Sequence, residues 1–427
     1  MAFDLIIRNA TLPDGTTGQD IGIADGLIAA IAPALEGEAA QEIDATGLLA
    51  SPPFIDAHFH MDATLSLGLP RLNRSGTLLE GIALWGELKP HLTQEAVIDR
   101  ALAYCDMAVA QGMGAVRTHV DVCDDRLLAV EALLEVKRRV APYLTLQLVA
   151  FPQDGLYRSP NAEANLVRAL DMGVDVVGGI PHFERTMADG ARSVTRLCEI
   201  AAERGLLVDM HCDETDDPMS RHIETLTAEC QRLGMAGRVT GSHLTSMHSM
   251  DNYYVSKLIP LMAEAGIAAI ANPLINITIQ GRHDTYPKRR GMTRVPELMA
   301  AGVPVAFGHD CVMDPWYPMG SADMLEVASM ALHVAQMTSL DGMAACFDAV
   351  TATPAKILHL EGYGLDVGCR ADLVLLEAGD KIEAIRLRAA RRHVLRGGRE
   401  IASSPSRKST LSIDGRPDAV VFRRAHT

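Results

Sequence analysis

Through the middle of the chain, short apolar β-rich runs alternate with stretches whose apolar residues recur at three- and four-residue spacing. The apolar runs end near His60, Val122, Gln153, His182, Glu214, Thr245, Pro273 and Asp310. Helical periodicity fills most of the gaps, as at 95–111, 126–140, 191–204 and 220–233. Strands that are apolar throughout belong to a parallel sheet covered by helices. Eight such units predict an α/β fold, a (β/α)8 TIM-type barrel over residues 51–351. A doubly wound open sheet is the competing architecture, but no Gly-rich phosphate loop follows the first strand.

Both ends of the chain have a different texture. Residues 5–10, 20–24 and 27–31 read as short strands, broken by Pro13-Asp14-Gly15 and Asp25-Gly26 turns. Residues 371–376 and 393–398 repeat that pattern. Neither set is large enough to stand alone. The two ends, 1–50 and 352–427, are therefore expected to form one small β-sandwich domain beside the barrel. From about Ser403 the chain reads as an irregular tail with a short strand at 419–422.

Composition narrows the partners. The 427 residues carry a formal net charge of -15, which excludes a phosphate-backbone footprint and with it nucleic acid. Eight cysteines fall without CxxC pairs, a pattern of reduced thiols. No apolar stretch reads as a leader or a membrane span. The expectation is a cytoplasmic homo-oligomer acting on a small molecule.

Polar groups that a buried strand normally avoids recur at the strand ends, the level where barrel enzymes carry their chemistry. His58 and His60 lie two apart at the end of strand one, so a strand projects them to one face. Strand five carries His211 and strand eight Asp310. Three imidazoles and a carboxylate suit one divalent metal with a position left for water. Such an ion is a Lewis acid and lowers the pKa of that water from about 15.7 toward 7. Glu214 follows His211 by three residues, within reach of the water and a substrate, as a proton carrier. His243, at the end of strand six, is placed to hydrogen-bond the attacking hydroxide. Plainer readings exist for each: packed histidines at 211 and 243, a helix cap at 310, a solvated acid at 214 beside Asp213, Asp216 and Asp217. His119 and His182 also fall at strand ends without an assigned role, and His248 reads as structural.

Longer blocks carry a resemblance. Pro53 to His60, Val116 to Val122, Val149 to Gln153, Ile180 to Glu184, Asp209 to Glu214, Asp284 to Gly291, and Phe307 to Asp310 followed by Asp314 to Pro318 are similar to the amidohydrolase superfamily. Within it, the chain resembles barrel-type bacterial cytosine deaminases over nearly its whole length. The resemblance implies that His58, His60, His211 and Asp310 bind one zinc or iron ion. It implies catalytic roles for Glu214, His243 and Asp310, with Glu214 serving the pyrimidine N3 and the leaving amine. Gln153 would read the ring's amide edge, and Trp316 would wall the ring. Relatives with two metals carry a lysine at the end of strand four; here that strand ends Gly179-Ile180-Pro181-His182, so one metal is expected.

One position departs from the pattern. The cytosine deaminases carry a second aspartate directly after the metal aspartate, where this chain has Cys311. A neutral thiol facing the ring removes a charge and adds apolar room. The expected substrate is therefore 5-methylcytosine, cytosine, or both. Isoguanine, creatinine or a triazine could present a similar edge to the same site. A non-catalytic barrel kept for assembly would lack the ligands that are present here.

Overall fold

A computed structural model describes residues 2–423. Eight consecutive parallel strands form its central sheet: Phe54–Phe59, Met113–Asp121, Thr145–Phe151, Val176–Gly179, Leu207–Cys212, Val239–His243, Ala268–Ala271 and Val305–Phe307. Each pairs with the next in sequence order. The last meets the first through a parallel bridge between Phe59 and Asp310. The expected barrel is therefore the observed one, and the doubly wound sheet is not.

The four helices expected from periodicity are present as Gln94–Ala110, Leu128–Val140, Met187–Arg204 and His222–Arg232. Local chemistry sets several of their ends. The Thr93 and Thr186 hydroxyls accept from the backbone N–H groups of Ala96 and Asp189, each satisfying a donor the helix itself cannot. An additional helix, Leu78–Leu88, follows strand one and matters for the site below.

Two four-stranded sheets lie beside the barrel. Phe3–Ala10, Gln19–Ala24, Leu27–Ala32 and Ala39–Asp44 form one, with Phe3–Ala10 antiparallel to Gln19–Ala24 and parallel to Ala39–Asp44. Leu49–Ser51, Leu373–Leu376, Arg391–Arg396 and Arg399–Ala402 form the other. Leu5, Ile7 and Ile21 from the N-terminal sheet pack with Leu373, Leu375 and Leu395 in one buried cluster. Each end of the chain thus covers the other's apolar face. The expected strand at 419–422 is not formed. Ala419 makes a single bridge to Thr410 around the Asp414-Gly415 turn, and Val421 is 73% exposed. With no sheet face to cover its apolar residues, the segment stays irregular. The tail beyond Arg423 lies outside the described residues.

Inside the barrel an ion pair replaces part of the apolar filling. Arg117 and Asp209 are both fully buried at 3.0 Å. Arg117 also donates to the Gln147 side chain at 2.7 Å and to the Ile357 carbonyl, while Ser242 donates to Asp209 at 2.6 Å. Ala355, Ile357 and Leu358 close the barrel below, against Ile55, Ala115 and Ala268. Breaking a buried pair leaves one charge stranded. Replacing Asp209 by Ala is expected to lower unfolding free energy by about 3–5 kcal/mol in urea titrations. A loss below roughly 1 kcal/mol would show that the pair adds little to stability.

Candidate active site

The seam that closes the barrel runs through the expected ligands. The His60 N–H donates to the Asp310 carbonyl at 3.0 Å, and the Asp310 N–H donates to the His58 carbonyl at 2.8 Å. This backbone ladder sets Asp310 directly beside both histidines. It needs close approach: a Cβ on Gly308 would lie 2.7 Å from the His58 Cβ and 2.5 Å from the Asn272 Oδ1.

Three site-bearing strand ends finish in left-handed backbone. Asp213 has φ 54°, His243 φ 69° and Asp310 φ 71°. Each costs a non-glycine residue about 1–3 kcal/mol, and surrounding bonds must hold it. At Asp213 those bonds are visible. Its carboxylate accepts from Ser220 Oγ at 2.6 Å and from the N–H groups of His222 and Ile223 at 3.0 and 2.8 Å, and lies 2.9 Å from His222 Nδ1. The anchor fixes the turn that delivers the neighbouring Glu214 into the cavity.

The four expected ligands converge. His60 Nε2 lies 2.9 Å from His211 Nε2, and Asp310 Oδ1 lies 3.4 Å from His60 Nε2 and 3.7 Å from His58 Nε2. Ligands held at about 2.0–2.2 Å in a tetrahedron stand roughly 3.3–3.6 Å apart, so the spacing suits a zinc-sized ion. Both ring nitrogens of His58 and Nδ1 of His211 are buried without a hydrogen-bond partner among the described residues. Burial holds His58, His60 and His211 well below the ordinary histidine value, which keeps the imidazoles neutral and able to bind a cation. Burial, followed by the nearby Glu214 carboxylate, pushes Asp310 well up. A divalent cation among them reverses that direction. The cluster therefore fits a divalent metal.

Glu214 is buried rather than solvated, with Oε1 3.2 Å from His243 Nδ1. Burial pushes its carboxyl up to about 8, a range in which it can hold and release a proton near neutrality. His243 Nδ1 also stands 3.8 Å from Asp310 Oδ2. Beside these groups opens a cavity of about 210 Å³. Gln153, Cys311 and Trp316 all line it, as do His60, His211, Glu214, His243 and Asp310. Cys311 is buried with Sγ 3.6 Å from Asp310 Oδ1, and burial pushes its thiol well up, so it stands neutral.

Some of the site was not anticipated. Helix Leu78–Leu88 contributes Leu78, Leu79 and Ile82 to the cavity wall, and its Gly81 makes room for Trp316: a Cβ there would lie 2.3 Å from the indole Cδ1. Phe151 stacks on His211 with centroids 4.1 Å apart. Asn272 and Asn276 approach His243; their four-residue spacing across Pro273 was the available signal, since it puts both on one helical face. His182 lines the cavity. His119 does not; it lies under His58, with centroids 4.2 Å apart.

A parallel eight-stranded barrel whose strand ends gather three histidines, an aspartate and a buried glutamate has the architecture of a metal-dependent hydrolase. Residues 41–402 match the Amidohydrolase family, and the chain belongs to it, as a hydrolase acting on C–N bonds. The chain is 44% identical to a 5-methylcytosine deaminase from Klebsiella pneumoniae crystallised with 5-fluorocytosine, with TM-score 0.93, covering 95% of this chain and 99% of that one. It is 30% identical to the N-isopropylammelide isopropyl amidohydrolase of Pseudomonas sp. (strain ADP), over 93% of this chain and 97% of that protein. It is 31% identical to a pterin deaminase of Rhizobium rhizogenes, over 93% and 94%. Among the described residues no helix is long and apolar enough to cross a membrane.

His211→Ala is expected to lower bound metal about tenfold or more after dialysis, because even groups that only orient a ligand are worth about 10–100-fold in affinity. Elemental analysis reads this directly. Undiminished metal in the variant would remove His211 from the ligand set.

Proposed function

We propose that the chain deaminates 5-methylcytosine to thymine, and cytosine to uracil by the same chemistry, releasing ammonia. Cys311 in the cavity wall, directly after Asp310, carries the reading, supported by the extent of similarity to the Klebsiella pneumoniae 5-methylcytosine deaminase. In the balanced reaction, water adds at C4, the C4–N bond breaks, and C4 keeps the oxygen as a carbonyl. One zinc or iron ion, held by His58, His60, His211 and Asp310, would supply Lewis acidity and a water of lowered pKa.

The remaining work falls to the chain's own groups. Glu214 holds a proton that it gives to ring N3, which makes C4 more electrophilic. It then takes one proton from the water and passes it to the departing amine, and the second water proton, lost as C4 becomes a carbonyl, returns Glu214 to its protonated form. His243, beside Glu214, orients the oxygen being added. Gln153 both donates and accepts through its amide, which matches a ring edge carrying a carbonyl and an N–H. Trp316 offers an apolar face to the ring. The neutral Cys311 leaves apolar room where a carboxylate would demand water or a donor.

Glu214→Gln should keep its metal and lose most turnover in an ammonia-release assay. Retained turnover would refute Glu214 as the proton carrier. Cys311→Asp should shift the ratio of kcat/KM for 5-methylcytosine over cytosine toward cytosine by about 10–200-fold, the usual worth of one methyl-sized contact. An unchanged ratio would sink the role of Cys311. Isoguanine, creatinine and an aminotriazine belong in the same panel; a preference for any of them would replace the pyrimidine reading.

A further inference from the structure

Behind His243, away from the cavity, stands an asparagine whose orientation is fixed by the backbone. Asn276 lies in the helix Pro273–Ile279 and is fully buried. Its Oδ1 is 3.1 Å from the backbone nitrogen of Asn272. A peptide N–H can only donate, so the atom facing it must be the amide oxygen. The backbone N–H of Asn276 in turn donates to the Asn272 carbonyl at 2.9 Å, which ties the two residues together. Turning the amide over would set two donors face to face. Asn276 Nδ2 is therefore the atom that stands 3.0 Å from His243 Nδ1, and an amide NH2 can only donate.

We infer that Asn276 is a positioning residue that sets the tautomer of His243, holding Nδ1 as an acceptor and the ring proton on Nε2. A proton on Nδ1 would meet the Asn276 N–H head-on. The consequence reaches Glu214, whose Oε1 is 3.2 Å from that same Nδ1. With Nδ1 used as an acceptor, it has no proton to give that carboxyl, and His243 donates only through Nε2. This rests on the deaminase reading for its catalytic meaning, while the tautomer itself does not.

Zinc-loaded enzyme with 15N-labelled histidine tests the inference by long-range proton–nitrogen NMR, with His243→Asn used to assign the signals. The wild type should show an acceptor-type Nδ1 and a proton-bearing Nε2 at His243. In Asn276→Asp the carboxylate accepts instead, so Nδ1 should gain a proton while the bond from the Asn272 N–H survives. In that variant kcat should fall about 10–100-fold, with KM and metal content close to wild type, because Asn276 does not line the cavity. A proton on Nδ1 in the wild type, or the same nitrogen pattern in both proteins, would overturn the assignment. The wild-type spectrum needs no variant to fold. Because it is read without turnover, it also separates a failed tautomer assignment from a failed substrate assignment.

Discussion

The site depends on the seam where strand eight returns to strand one. Two backbone hydrogen bonds, His60 N–H to Asp310 and Asp310 N–H to His58, join these strands at the level of the ligands. Each bond contributes only about 1 kcal/mol net. Their larger effect is geometric: the barrel cannot close without bringing Asp310 to 3.4 Å from His60 Nε2. The glycine at 308 is what allows the approach, since a side chain there would collide with His58. The cluster of His58, His60 and Asp310 is thus assembled by strand pairing, and a site on rigid strands holds its geometry better than one on loops.

That dependence explains how much could be read from residues alone. Strand ends were legible because apolar runs broken by histidine and aspartate are unusual in a buried strand. His58, His60, His211 and Asp310 were found in this way, and the structure brings all four together. Glu214 was ambiguous beside Asp213, Asp216 and Asp217; the ambiguity ends in three dimensions, where Asp213 is spent on capping the helix His222–Arg232 and Glu214 turns inward. The helix Leu78–Leu88 did carry a signal, since Gly81, Leu84, Trp85 and Leu88 are buried at helical spacing; what periodicity does not reveal is that Leu78 and Ile82 line the cavity. Asn276 left little trace. Its importance lies in which amide atom faces His243, and the Asn272 backbone alone decides that. The strand expected at 419–422 failed for a converse reason: a β-prone run needs a face to bury, and beyond its bridge to Thr410 the tail leaves Val421 exposed.

Electrostatics constrains the site in one direction. Asp310, Glu214 and Asp314 are buried within one neighbourhood, and burial pushes each of their carboxyls up. The imidazoles around them are pushed down by the same burial. Low dielectric therefore favours the neutral form of every group, with donor-poor nitrogens and carboxyls crowded together. A divalent cation resolves the crowding for the ligands. For Glu214, standing against His243 rather than among the histidine ligands, the pressure toward the neutral acid remains, and that pressure suits a proton donor. One environment thus gives two carboxyls different neighbours, Asp310 beside the histidine cluster and Glu214 against His243.

The apolar wall of the cavity and its histidine–aspartate cluster come from different parts of the fold. His58, His60, His211, His243 and Asp310 sit on or just after barrel strands, where pairing fixes them. Cys311 and Trp316 belong to the loop after strand eight, which Asp314 organises by accepting from the N–H groups of Trp316 and Tyr317 at 2.9 Å. Trp316 is held from the far side by Gly81 on the inserted helix. A change in that loop or helix can reshape the ring pocket without touching the closing seam. The reverse does not hold, because any shift of the seam moves Asp310 and Cys311 together, as they are adjacent in the chain. The cavity wall at position 311 is therefore tied to the Asp310 geometry by one peptide bond, while the wall at 316 can move with the helix it leans on.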